Sequence, residues 1–184
     1  MLSSEDDIQI LIGGCLKNDR KAQEGLYKRF YQAMMALCVR YTKDRQDALE
    51  VLNDGFLKVF KRIGQYDAAK ASLYTWMRKI VINTAIDFLR KHQVYHNMEV
   101  LLAEDEDTGI ENDAVQKLSG DELLKMIRQL PPTTRLVFNM YIIDGFSHRD
   151  IASLLGIGEG TSRWHLNEAR RQLKIIIHLM EANP

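Results

Sequence analysis

Three prolines in 184 residues, Pro131, Pro132 and Pro184, leave almost the whole chain free of helix breakers. Cysteine is as scarce. Cys15 and Cys38 match no metal or redox spacing, and both fall among apolar neighbours, so buried packing is expected and a structural disulfide is not. No stretch approaches ~18 consecutive apolar residues, so no helical membrane span is available. The start, Met1-Leu2-Ser3-Ser4-Glu5-Asp6-Asp7, lacks the basic opening and apolar core of a secretory signal. Cytoplasmic residence is the expectation. There is also no Gly-rich phosphate loop, nucleophile elbow or zinc-protease motif. Asp144 and Asp150 suit turns and caps better than acid–base work, and no enzyme and no cofactor are expected. His92 and His96 stand at i, i+4, but no further Cys or His lies near in sequence, and no metal site is expected.

Net charge is missing too, with 25 basic and 25 acidic residues, but the average hides a segregation. Residues 1–92 carry 16 Lys and Arg against 11 Asp and Glu, a surplus of +5. Residues 93–120 carry 1 against 7, or −6, and residues 121–184 carry 8 against 7, or +1. A basic front, an acidic middle and a near-neutral end point to a divided molecule.

What fills the chain is helical periodicity. Ile8, Leu11, Ile12, Cys15 and Leu16 fall on one helical face. So do Tyr27, Phe30, Tyr31, Met34 and Cys38, and again Ala48, Val51, Leu52, Phe56, Val59, Phe60 and Ile63. A fourth run, Leu73 to Lys91, is apolar on one side. No alternating β-branched run competes, and the fold class is all-α. From about His92 to Ser119 the pattern breaks at Glu104-Asp105-Glu106-Asp107, too acidic to bury a face. This stretch reads as an acidic flexible linker extended by its own repulsion. Leu123, Leu124, Ile127 and Leu130 then make a short amphipathic helix stopped by Pro131-Pro132, with Pro132 suited to the first turn of the next helix. The expected domains are residues 1–92 and 120–184, joined by 93–119.

The densest local signal lies between Phe146 and Lys174. Ser147-His148-Arg149-Asp150 has the Ser-x-x-acid form of a capping box. Gly156 suits a left-handed helix end, and Thr161 is expected to cap a second helix with inner face Leu166, Ala169 and Leu173. Helix, glycine turn and helix make a helix-turn-helix, whose second helix enters the DNA major groove. Its outward residues Arg163, Trp164, Asn167 and Glu168 are expected to meet base edges, Arg suiting guanine, Asn adenine and Glu cytosine. Arg170, Arg171 and Lys174 are expected on phosphates.

On these residues the chain resembles the extracytoplasmic-function (ECF) sigma factors of the sigma-70 family. Leu130 to Phe138 (LPPTTRLVF), Gly145 to Ile157 (GFSHRDIASLLGI) and Gly160-Thr161 are similar to the family's region 4. Asp47 to Phe60 (DALEVLNDGFLKVF) resembles its polymerase-binding helix, and Ser72 to Arg90 (SLYTWMRKIVINTAIDFLR) its DNA-melting and −10-reading helix in region 2. The ordered set covers nearly the whole chain. The resemblance implies docking on a coiled coil of the polymerase's largest subunit, with Glu50, Asn53 and Asp54 around an apolar centre of Leu49, Phe56 and Leu57, and a further contact to the polymerase flap. It implies −10 binding by Gly64 to Ser72 and the helix after it. Tyr66, Tyr74 and Trp76 would be stacking platforms, Asn83 and Asp87 would make edge contacts, and Arg78, Lys79, Arg90 and Lys91 would hold phosphates. Its partners would be core polymerase, promoter DNA and an anti-sigma factor. Asn53-Asp54 stands where the family more often has Gln-Glu, and Gly55 weakens its helix by up to ~1 kcal/mol relative to Ala. Ser162 replaces a usual aliphatic, Trp164 a small polar residue and Glu168 a frequent Arg, which implies an unusual −35 preference. Apart from the resemblance, a stand-alone helix-turn-helix regulator and a partner-holding decoy remain open.

Overall fold

The computed structural model describes residues 4–92 and 120–181. The chain divides into two compact units, Met1–His92 and Gln93–Pro184. Every regular element among the described residues is helical. The acidic stretch and His96 lie outside the described residues.

The first unit holds α1 (Ser4–Leu16), α2 (Arg20–Tyr41), α3 (Arg45–Arg62), a 3-10 turn at Ile63–Gln65, and α4 (Leu73–Lys91). Its helix starts are set by side-chain acceptors for otherwise unpaired N–H groups. Asp19 accepts from Lys21 N at 2.8 Å, Asp44 from Asp47 N at 2.9 Å, and Ser72 from Thr75 N at 3.2 Å. Asn18, with φ 57°, takes the left-handed step that turns α1 into α2. The apolar stripes converge on Leu26, Met34, Leu37, Val51, Leu52, Phe56, Val59, Met77, Val81 and Ile86, all buried. Full burial of each large aliphatic is worth roughly 1.5–3 kcal/mol, which is what holds four helices together without a disulfide. Cys15 and Cys38 are free and buried. Burial pushes the Cys38 thiol up to about 12, so it stays protonated and inert.

Gly55 has a role that helix propensity hides. A Cβ there would stand 3.0 Å from Val81 Cγ2 and 3.6 Å from Val81 Cα. The glycine lets the backbone of α3 lie directly against α4. What reads in sequence as a weak spot in α3 is the contact that sets the spacing of the two helices.

The second unit holds α5 (Gly120–Gln129), α6 (Pro132–Phe138), a π-helical turn at Asn139–Ile143, α7 (His148–Leu155) and α8 (Glu159–Glu181). Pro132 occupies the first turn of α6, where its missing N–H costs nothing. Both α6 and α7 pack on α8. Their shared core is Met126, Ile127, Leu130, Leu136, Val137, Met140, Ile151, Leu166, Ala169 and Leu173.

Candidate nucleic-acid interface

In the second unit the helix-turn-helix forms where the residues place it. Ser147 Oγ accepts from Asp150 N at 3.1 Å and donates to Asp150 Oδ2 at 2.7 Å, which fixes the start of α7. Gly156 adopts φ 69° and its N–H bonds Ala152 O at 2.9 Å, which ends α7 in a left-handed cap. The cap expected at Thr161 is displaced. Helix α8 already begins at Glu159, and Ser162 N donates to Gly158 O at 3.0 Å, so Thr161 lies inside the first turn.

Beneath α8 the inner face is partly polar. Ser162 and His165 are buried with Leu166, Ala169 and Leu173. Ser162 Oγ is hydrogen-bonded to His148 Nδ1 of α7 at 2.9 Å, and His165 Nδ1 to Thr134 Oγ1 of α6 at 3.0 Å. Tyr141 stacks on His148 with ring centroids 4.4 Å apart. Burial holds both imidazoles below their ordinary pKa, and Arg163 adds to the effect at His148. Two imidazole–hydroxyl bonds thus tie α8 to its neighbours. They explain why a serine stands where an aliphatic is usual, since buried polar groups survive when paired. Sequence reasoning had no signal for them, because the partners lie 14 and 31 residues apart.

Outward, α8 presents Arg163, Arg171 and Lys174 exposed, with Trp164, Asn167, Glu168 and Arg170 half-buried. The Trp164 ring meets His165 edge-on, centroids 4.9 Å apart. Arg163 donates to Glu159 at 3.2 Å, and Glu168 accepts from both Arg171 and Gln172. Glu168, expected as a base reader, is therefore engaged along its own helix.

In the first unit, Leu49, Glu50, Asn53, Asp54 and Leu57 form an exposed stripe along α3, with Leu49 41% and Leu57 51% exposed. Tyr27 Oη donates to Asn53 Oδ1 at 3.1 Å. Phe56 departs from the expectation: it is 2% exposed, its ring 4.6 Å from that of Tyr27, and it belongs to the core rather than to the stripe. On α4, Tyr74, Lys79, Arg90 and Lys91 are exposed, and Arg78 and Trp76 half-buried. The ring of Tyr66, just past the 3-10 turn, lies 5.6 Å from that of Trp76, so these two platforms are brought together. Asn83, expected on the surface, is half-buried, and its Oδ1 is buried without a hydrogen-bond donor. Asp87 pairs with Lys58 of α3 at 3.1 Å, a partner the sequence did not suggest.

No group of His, Cys, Asp and Glu among the described residues could hold a metal ion. No described helix is long and apolar enough to cross a membrane.

Comparison with known proteins agrees with this geometry. Residues 26–94 match sigma-70 region 2, and residues 120–173 match sigma-70, region 4. The chain is 27% identical over 184 residues to the RNA polymerase sigma-H factor of Pseudomonas aeruginosa, covering 94% of each. It is 26% identical over 177 residues to the ECF RNA polymerase sigma-E factor of Haemophilus influenzae, covering 90% of this chain and 93% of that one. Among solved structures, the sigma factor RpoE of Bartonella quintana, in complex with the anti-sigma factor NepR, is similar in fold. Its TM-score is 0.52 at 18% identity, covering 88% of this chain and 98% of that one. With helical regions 2 and 4 in order along one polypeptide, the chain belongs to the ECF group of the sigma-70 family, whose members are non-catalytic transcription-initiation factors.

Proposed function

We propose that this chain carries core RNA polymerase to promoters in the cytoplasm, reading the −35 element with α8 and the −10 element with α4 while helping to open the duplex. The observation that carries the reading is the exposed stripe on α3. Leu49 and Leu57 face solvent on a helix whose opposite side is already packed, with Glu50 and Asp54 beside them. An apolar stripe edged with carboxylates is a docking face for a basic helical partner, and the coiled coil of the polymerase's largest subunit is that partner. An anti-sigma factor covering the same stripe when polymerase is absent completes the proposal.

On α4, the unpaired Asn83 Oδ1 supports a role in the opened strand. A buried acceptor without a donor costs roughly 1–3 kcal/mol, and a turn of the side chain outward to accept from the amine of an unstacked base would relieve it. The neighbouring Tyr66 and Trp76 rings offer stacking of roughly 1–3 kcal/mol per base. Arg78, Lys79, Arg90 and Lys91 would hold phosphates. Asp87 joins the readers only by giving up Lys58. On α8, Arg163, Trp164 and Asn167 remain the reading set, with Arg170, Arg171 and Lys174 on the backbone.

The test is run-off transcription with purified core polymerase and genomic templates. Specific transcripts should start at a subset of promoters, and their 5′ ends locate both elements. Failure of the chain to bind core in a pull-down would overturn the proposal. Asn83→Ala should impair opening, read with permanganate, more than closed-complex binding.

A further inference from the structure

The two arginines that α8 leaves exposed each carry a counter-ion from their own helix, and the two pairs differ in kind. Arg163 and Glu159 meet at 3.2 Å with side chains 55% and 45% exposed. Arg171 is gripped at two points: Nε donates to Glu168 Oε2 at 2.8 Å and Nη2 to Oε1 at 2.7 Å. Gln172 Nε2 adds a third donor to Glu168 Oε1 at 2.6 Å. The Glu168 side chain is only 19% exposed, against 57% for Arg171. Arg171, above all, holds the Glu168 carboxyl below the usual range, and Glu168 in turn raises the guanidinium.

We propose that Glu168 is not a base reader but a built-in counter-ion, which neutralises Arg171 and so holds down the affinity of α8 for duplex phosphate. The inference rests on the reading of α8 as the DNA helix. Affinity for duplex DNA grows with each phosphate that a cation neutralises, through release of condensed counter-ions. A guanidinium held bidentately through Nε and Nη2 by a partly buried carboxylate has one edge of its fork committed and its charge compensated. A phosphate can still reach Nη1, but it then meets a compensated pair rather than a bare cation, and fewer condensed counter-ions are released. The open Glu159–Arg163 pair exchanges its carboxylate for phosphate at little cost, because exposed ion pairs are weak. The helix is therefore graded: Arg163 is available, Arg171 is restrained.

The experiment titrates the full chain against two fluorescent duplexes between 50 and 200 mM salt. One carries a promoter sequence recovered from run-off transcripts, and the other is its scramble. Glu168→Gln should bind both duplexes more tightly and steepen the slope of log K against log salt by about 0.9, a roughly threefold larger loss across that range. Its discrimination between the duplexes should fall. Glu159→Gln should do less, and in an Arg171→Ala background Glu168→Gln should tighten binding less and leave the salt slope unchanged, because no cation is freed. Weaker binding of Glu168→Gln with an altered preference at one base pair would restore the base-reader role and overturn the inference. Equal tightening with and without Arg171 would also overturn it. If Arg163→Ala leaves binding untouched, the assignment of α8 to DNA fails and takes the inference with it; if Arg163→Ala weakens binding but Glu168→Gln is inert, the counter-ion role alone fails.

Discussion

Replacing Gly55 by alanine sets helix propensity against packing, and the structure decides which wins. In an open helix the change gains about 1 kcal/mol. Here the new methyl would stand 3.0 Å from Val81 Cγ2, where carbon–carbon contacts settle at about 3.5–4.0 Å. Val81 is fully buried and β-branched, so its χ1 has essentially one rotamer within α4. The strain falls on the helix spacing itself, and overpacking of this kind costs about 1–3 kcal/mol. The net expectation is a loss of about 1 kcal/mol.

Val81→Ala removes the obstructing methyl groups. In that background the same Gly55→Ala change should become stabilising by about 1 kcal/mol, so its sign inverts. Urea unfolding followed by Trp76 fluorescence reads this in a Trp164→Phe chain, where no second tryptophan reports. A Gly55→Ala protein more stable than its parent would refute the reasoning. So would an identical loss in both backgrounds, because the effect would then not pass through Val81. The contact matters beyond stability, since it sets the distance between the docking stripe on α3 and the aromatic platforms on α4.

Ser147→Ala removes both bonds that start α7 and should cost about 1 kcal/mol, read as a lower melting point by Trp164 fluorescence; an unchanged melting point would mean that Asp150 alone sets the helix start. Acid should destabilise the second unit. The buried His165 and half-buried His148 imidazoles both hold folded pKa values below the unfolded one near ~6.5, so below that pH the unfolded chain takes up protons first and stability falls. A melting point flat from pH 7.5 to 5.5 would contradict this, and Thr134→Val should lower stability at both ends of the range by leaving His165 unpaired. Leu57→Asp should abolish capture of core polymerase while shifting stability by less than about 0.5 kcal/mol; a large drop in stability would place Leu57 in the core instead.

Most of the helical architecture was legible because it is local. Stripes at three- and four-residue spacing locate α2, α3 and α4, and Ser147 and Gly156 bracket α7 through interactions spanning one turn. The same wheel separates Phe56 from its neighbours. Leu52, Phe56 and Val59 share the buried side of α3, while Leu49, Asn53 and Leu57 lie at i, i+4 and i+8 on the other. Family likeness placed Phe56 in the stripe, and periodicity alone would have kept it inside. The start of α8 was missed for a different reason: Gly158 offers no side chain to announce a cap, and Thr161 looked like one.

What no spacing rule reaches is the set of partners that come together only in the fold. Val81 gives Gly55 its purpose, Lys58 occupies Asp87, and Thr134 and His148 reach α8 from α6 and α7. Each of these changes the role a residue can play without changing the element it sits in. The helix-turn-helix is therefore written in its caps and stripes, but the strength and selectivity of its DNA face are written across helices. Glu168 marks the boundary. Its pairing with Arg171 is a local i, i+3 contact, open to a reader of the sequence, yet a glutamate on a recognition helix suits cytosine equally well. The partial burial of its side chain and the third donor from Gln172 are what favour the counter-ion role we propose.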